Sequence, residues 1–525
     1  MRCRGSARAE RVAGTRGRAG GVGTVSGLVV VAALRTEFAA LVGRIPGDAT
    51  LERCGMGQER VRRWLPRLTE LAPDALVVAG VAGGLHPALR PGDVVVASEV
   101  RDGRGRIVLR AASPLVAELR RMGMRVHYGP MVSVDRIVGG AEREKLAKTG
   151  ALAVDMESAA VVRALGPAGE RPPTAVVRVI VDTAHMPVAR LATVAAGGRA
   201  LMTLRRLAPA LQRWAGLAGP RRVVVAGPRS FCAGVERAID IVEQALRRFP
   251  RPVYVRRQIV HNAHVVADLQ SQGAVFVDEL DEVPDGTTVV FSAHGVAPAV
   301  REEAARRKLT VVDATCPLVA KVHTEARRFL GRGDAVLLIG HDGHDETEGT
   351  LGEGRITLVQ TPQEAERVEV DDPSKVAFLT QTTLAVEDAN QVVDVLRRRF
   401  PLIESPPTED ICYATTNRQE AVRAIARESD LVLVVGSQNS SNSLRLVEVA
   451  QRCGTRAYLV DDAGGILPEW IEHAATIGIT AGASAPPHLV DEVIAMLRAL
   501  GPVEVDERVV THEDIKFTLP KEVAD

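Results

Sequence analysis

The chain is 525 residues long, with 66 Lys and Arg against 65 Asp and Glu, a formal net charge of +1 and 46% hydrophobic residues. That length exceeds one ordinary core, so two or more domains are expected, and the near-neutral balance offers no basic surface for nucleic acid or an anionic membrane. No apolar run approaches the ~20 residues of a bilayer-spanning helix, and six cysteines in so long a chain suit a reducing compartment, where thiols serve metals or catalysis, better than a disulfide framework.

Residues 1–26 are rich in Arg and Gly and lack the apolar stretch of a secretory signal, so they are expected to be a disordered tail outside the fold. Structure is expected to begin near Gly27 with the buried-strand signal LVVVAAL. DALVVAGVAGGL, PGDVVVASEV and VRVIVDTA are further strand candidates, with a helical pattern at 156–165. Strands alternating with helices predict an α/β domain over 27–207. Within it, GVAGGL (80–85) is either a phosphate cradle of backbone amides or an ordinary glycine-rich turn. The acids of DMES (155–158) open a helix, where they complement its dipole. Asp182 ends a strand, a common place for a carboxylate that caps the next helix.

Taken in order, AALRTEF, GMG (55–57), GVAGGLHPALRPGDVVVAS, AVDMES and RVIVDTA resemble the purine nucleoside phosphorylase and nucleosidase family. The resemblance implies that Glu157 grips ribose hydroxyls beside Met156, that Asp182 protonates a purine leaving group, and that Glu37 matches the water-activating acid of the nucleosidase branch. A subgroup acting on an adenosyl-linked hopanoid isoprenoid is similar. The span is short for the family and no aromatic is placed to stack on a purine, which keeps a degenerate binding module open as the alternative.

Residues 208–221 read as a helix end running into a Gly-Pro linker, and RVVVAG at 222–227 starts a second domain extending to residue 525. There Val235, Ala238, Ile239, Val242, Leu246 and Phe249 follow helical spacing, VYVRRQIVHN reads as the next strand, and 502–525 reads as a tail packing back on the domain. Cys232, Cys316 and Cys412 each open a module that repeats one order of loops. A first polar loop follows at His261, His344 and Ser441, and a second at His294, Thr382 and Ser484. Most of these loops follow an apolar run and so leave strand ends, where α/β sheets bind ligands. Three pseudo-threefold-related α/β modules around an axis would bring three thiols and six polar loops to one point.

A single cysteine of this kind is ordinarily a buried structural residue, and the close Cys pairs of zinc ribbons are absent. Three thiolates from three repeated modules suit a 4Fe-4S cluster with one iron lacking a protein ligand. GHDGHDETEGT (340–350) reads as a divalent-metal site, a solvated acidic loop or, one loop beyond Cys316, an acid aimed at the cluster. An acid in a low-dielectric pocket keeps its proton; Glu346 is the candidate, with Thr382 to relay or orient it. His261, His294, His344, Ser440, Ser441, Asn442 and Ser484 are neutral or weakly basic donors without a lysine among them, a set suited to a small, highly charged anion. Cys3, Cys54 and Cys453 lie outside the pattern.

Over about 222–520, the stretches PRSFCAGVERAI, VHN, FSAHGV, DATCPLVAKVH, GHDGHDETEGT, TQTTL, DICYATTNRQEAV, VGSQNSSNS and TAGASAP closely resemble the 4-hydroxy-3-methylbut-2-enyl diphosphate reductase family. The resemblance implies a 4Fe-4S cluster on Cys232, Cys316 and Cys412 with an open iron toward the allylic hydroxyl. It also implies protonation of the departing hydroxyl by Glu346 with Thr382, and a diphosphate held by the three histidines, Ser440, Ser441, Asn442 and Ser484. The products would be isopentenyl and dimethylallyl diphosphates. A low-potential donor such as ferredoxin or flavodoxin and a cytoplasmic location follow as expectations. A dehydratase without net reduction and a non-enzymatic cluster sensor are the competing readings; the acid and the anion pocket argue against the sensor.

Overall fold

A computed structural model describes residues 27–45, 49–183 and 191–524. The expected tail at 1–26, with Cys3, and the last residue of RVIVDTA fall outside them. In the first half, strands Thr50–Arg53, Leu28–Ala32, Ala75–Gly84, Ala153–Asp155, Val126–Ser133, Val94–Asp102 and Gly105–Val108 lie side by side in that order. Strand Thr174–Asp182 pairs with both Ala75–Gly84 and Val94–Asp102, closing the sheet on itself. The unbroken apolar run Leu28–Ala32 is buried at every position, as a strand covered on both faces requires.

Helix Leu191–Ala215 ends within 208–221, where a helix end was expected, and strand Arg221–Gly227 follows closely. The helix carries Trp214, fully buried, whose indole Nε1–H donates to the Ala111 carbonyl at 2.6 Å. Leu115, Leu119 and Trp214 share one continuous apolar cluster with Ile466, Ile471, Met496 and Leu497 of the second half. Burial of so much apolar surface joins the halves through a common core.

The second half holds three all-parallel sheets. One is ordered Ala274–Val277, Val253–Arg256, Thr288–Phe291, Thr310–Asp313; the next Ile356–Val359, Ala335–Ile339, Val376–Thr380; the third Arg456–Val460, Leu431–Val435, Thr476–Ala481, Arg221–Gly227, Val503–Val509. Strand Arg221–Gly227 leads into Cys232 yet belongs to the third sheet, so the first strand of this half completes the module whose cysteine comes last. The expected strand VYVRRQIVHN stops at Arg256. Arg257 takes a left-handed φ of 56° and donates its amide to the Val277 carbonyl at 2.7 Å, which turns the chain. Asn262 then caps helix Ala263–Gln272 through its side-chain oxygen, leaving His261 on a loop. Past strand Val503–Val509 the tail packs back: Glu513 accepts from Arg418 and Asn417, the Thr518 carbonyl accepts from Arg237, and Val523 is buried.

Candidate active site

Cys232, Cys316 and Cys412 are the N-cap residues of helices Ala233–Arg248, Pro317–Gly331 and Tyr413–Ala426. Cys232 and Cys316 follow strands Arg221–Gly227 and Thr310–Asp313 directly, Cys412 follows the loop after helix Val386–Arg399, and the three helices begin at one cavity lined by all three thiols. The cysteines are free of disulfides. Burial raises Cys316 to about 12 and Cys412 to about 11, so thiolates here need a positive partner. Three helix N-termini supply part of that field. A Cβ at Gly234 would lie 2.7 Å from Cys316 Sγ and 3.8 Å from Cys232 Sγ, so glycine leaves the room that a group bridging these sulfurs requires. Free thiols, helix N-termini and reserved space together fit an iron–sulfur cluster.

Facing the thiols is Glu346, 2% exposed. The Thr382 amide donates to its Oε1 at 2.7 Å and the Thr382 hydroxyl donates to its Oε2 at 3.0 Å. Burial pushes Glu346 up to about 7, against those two hydrogen bonds. The carboxyl is therefore poised to hold a proton near neutrality.

The histidines form a third group. His261 and His294 stack at 4.0 Å between ring centroids, with His344 edge-on to both. Burial holds His344 down at about 4 and lowers His261 and His294, so these are neutral donors. His344 Nδ1 accepts from the Glu346 amide at 3.2 Å, which assigns its proton to Nε2. Ser440 caps helix Ser441–Arg452 and accepts from the Ser443 amide, placing Ser441 and Asn442 in the first turn, where anions are favoured. Ser484 Oγ donates to the His261 carbonyl at 3.0 Å. Among the described residues, both amide atoms of Asn442 and Nδ1 of His261 and of His294 are buried without a hydrogen-bond partner. Such groups call for a ligand.

Every residue singled out in the second half thus lines one cavity. Sequence reasoning missed others around it. Thr415 Oγ1 lies 3.1 Å from Cys412 Sγ and donates to the Thr382 carbonyl, tying a thiol to the acid's holder; its position one turn into the helix after Cys412 was the available signal. Thr383 reaches Ser441 Oγ at 3.2 Å. Asp345, already singled out within GHDGHDETEGT, lies 3.9 Å from His261 Nε2 and 3.8 Å from His294 Nδ1, and is ion-paired with Arg257. His341 lies outside the cavity lining and hydrogen-bonds Gln381.

In the first half, Glu37, Met156, Glu157 and Asp182 line a separate cavity of about 300 Å³. Glu37 accepts from the amides of Ala33, Leu34 and Val81 at 2.7–2.9 Å. Glu157 accepts from the Gly57 amide at 3.0 Å, and burial raises it to about 7 in spite of Arg178 nearby. Asp182 pairs with Arg143 at 2.6 Å. Among the described residues no aromatic side chain lines this cavity. The glycines of GVAGGL fall within strand Ala75–Gly84, so they open no helix that could cradle a phosphate. A Cβ at Gly80 would collide with Glu37 and Arg178, and one at Gly83 with Arg143; the glycines make room for those side chains.

Residues 223–498 match the family model described as LytB protein, and the chain belongs to that family. Its relatives include 4-hydroxy-3-methylbut-2-enyl diphosphate reductase 1 of Mycobacterium tuberculosis, 58% identical over 311 residues, which are 58% of this chain and 94% of the relative. The reductase of Cronobacter sakazakii is 54% identical over 307 residues, 58% of this chain and 97% of the relative. The solved structure of the E-1-hydroxy-2-methyl-but-2-enyl-4-diphosphate reductase from Plasmodium falciparum is 35% identical, with a TM-score of 0.56, covering 58% of this chain and 97% of that one. Reductases of this family are iron–sulfur enzymes. Residues 29–212 match the model described as Phosphorylase superfamily. Among the described residues no helix is long and apolar enough to cross a membrane.

Proposed function

We propose that the second half, from residue 222, reduces 4-hydroxy-3-methylbut-2-enyl diphosphate to isopentenyl and dimethylallyl diphosphates. Supporting this reading above all is one observation: a buried carboxyl poised near pH 7 shares a cavity with three thiols and with orphaned donors suited to an anion. Cys232, Cys316 and Cys412 would hold a 4Fe-4S cluster, which supplies electrons and a Lewis-acidic iron when bound. The diphosphate takes hydrogen bonds from Asn442, Ser440, Ser441, Ser484 and the neutral imidazoles of His261, His294 and His344, beside the N-terminus of helix Ser441–Arg452. That fixes the allylic hydroxyl toward Glu346. Glu346 gives up its proton, by way of the Thr382 hydroxyl, to the departing oxygen, which leaves as water. Two electrons and two protons in all convert the C–OH bond to C–H. The electrons come from a low-potential carrier of the ferredoxin or flavodoxin kind, in keeping with a cytoplasmic setting.

The test is anaerobic incubation of the full chain with the hydroxylated diphosphate and a low-potential reductant. Formation of both products supports the proposal; release of water without net reduction points to a dehydratase; no consumption by iron-replete protein sinks it.

The first half, 27–207, is proposed to cleave the glycosidic bond of a nucleoside or adenosyl-hopanoid ligand, with Glu157 and Met156 at the sugar and Asp182 as the acid. Its support is the convergence of these residues on one cavity. The three amides that already occupy Glu37 favour a second reading, a binding module without hydrolysis. Adenine release from a nucleoside panel, with and without phosphate, decides between them.

A further inference from the structure

A third concave site lies where the two halves meet, apart from both cavities above. It measures about 640 Å³ and is lined by Arg106, Arg110, Arg163 and Arg171 of the first half and Arg498 of the second. Among the described residues no Asp or Glu lines it, although Glu99 lies 3.9 Å from Arg106 behind the wall. Concentrating guanidinium groups against one another is unfavourable unless an anion offsets them: burial first, and the neighbouring charge of Arg163 second, depress Arg171. The local partners satisfy only part of this set. Arg163 reaches Asp102 at 2.6 Å and Arg171 donates to the Gly166 carbonyl at 2.9 Å, while the Nε–H of both is buried without a partner among the described residues. Arg106, Arg110 and Arg498 are exposed. Planar guanidinium forks match phosphoryl oxygens in pairs. Ligand sites also concentrate at domain interfaces.

We propose that this interdomain cavity binds a ligand carrying a diphosphate group, gripped by Arg163 and Arg171 from the first half and Arg498 from the second. Val108 and Pro172 on the same wall give an attached organic moiety an apolar surface, so a nucleoside diphosphate and an isoprenoid diphosphate are the two sources of this chemistry. A ligand there touches both halves and couples their docking to its own concentration.

Calorimetric titration of the anaerobically prepared full-chain holoenzyme with pyrophosphate, ADP and dimethylallyl diphosphate tests this. Wild type is expected to show two classes of site, one of them the thiol-lined cavity. The double variant Arg163→Gln, Arg171→Gln is expected to lose the other class, with affinity there at least tenfold weaker and reductase kcat/KM unchanged. Tighter binding of ADP identifies a nucleotide, tighter binding of dimethylallyl diphosphate an isoprenoid, and equal binding the diphosphate group alone; all three support the site. If circular dichroism shows the half-buried pair unfolded, the exposed pair Arg110→Glu, Arg498→Glu carries the same expectation. A single class in wild type, or an unchanged isotherm in the folded variants, overturns it. Because the arginines lie outside the reductase cavity, that failure is separate from failure of the reductase reading.

Discussion

Replacing Glu346 with Gln removes one ionisable proton and keeps the side chain's shape. The Gln oxygen still accepts from the Thr382 amide, and its NH₂ faces the Thr382 hydroxyl where Oε2 stood. Burial raises Glu346 from 4.5 to about 7; at 1.36 kcal/mol per unit, that difference is worth about 3 kcal/mol. Because the folded value lies above the unfolded one, the native state holds the extra proton. Stability from this group is therefore fully present below pH 4.5 and is lost as pH rises through 7. Two results follow for Glu346→Gln. Turnover is expected to fall ~10²–10⁴-fold, the span of general acid catalysis, with iron content and KM held near wild type. The decline in stability between about pH 4.5 and 7 should flatten by about 3 kcal/mol in chemical denaturation. Wild-type kcat/KM is expected to fall above pH 7. A variant with full iron and undiminished turnover, or wild-type activity that climbs through pH 7, refutes the reasoning.

Gly234→Ala places a methyl 2.7 Å from Cys316 Sγ, so most of the iron should be absent after anaerobic isolation while far-UV circular dichroism stays native; full iron contradicts the reserved-space argument. Asn442→Ala removes two buried, otherwise unpartnered amide atoms. Loss of a hydrogen bond to a charged group costs about 1.5–3 kcal/mol, so KM should rise about tenfold or more with kcat little changed; an unaltered KM removes Asn442 from the anion site. Trp214→Ala empties the core shared by the two halves and should cost about 3–5 kcal/mol, read as a lower Tm for both halves together; a shift confined to the first half means that they do not share a cooperative core.

The repeat of cysteine, first polar loop and second polar loop was legible because most of its elements sit where a strand ends, and apolar runs mark strands. Local spacing therefore points the loops of Cys232, Glu346 and Asn442 toward one place, and the three line one cavity. What escaped depends on partners far away in sequence. The break at Arg257 needs the Val277 carbonyl across the sheet. Gly80 and Gly83 read equally well as a phosphate loop, since only the folded sheet brings Glu37, Arg178 and Arg143 against them. The helix end expected within 208–221 falls at Ala215, but nothing local to it says that Trp214 buries against Ala111 and the core of the second half. The grouping of sheets was equally hidden: nothing local to RVVVAG says that it pairs with the distant strands Thr476–Ala481 and Val503–Val509.

Elemental analysis of the full chain, isolated without oxygen, tests the central claim most directly. Three helix-capping thiols around one space should yield about four irons and about four acid-labile sulfides per chain, with a brown colour lost when Cys232, Cys316 or Cys412 is replaced by Ser. Colourless, iron-free protein, or iron that survives all three substitutions, contradicts it.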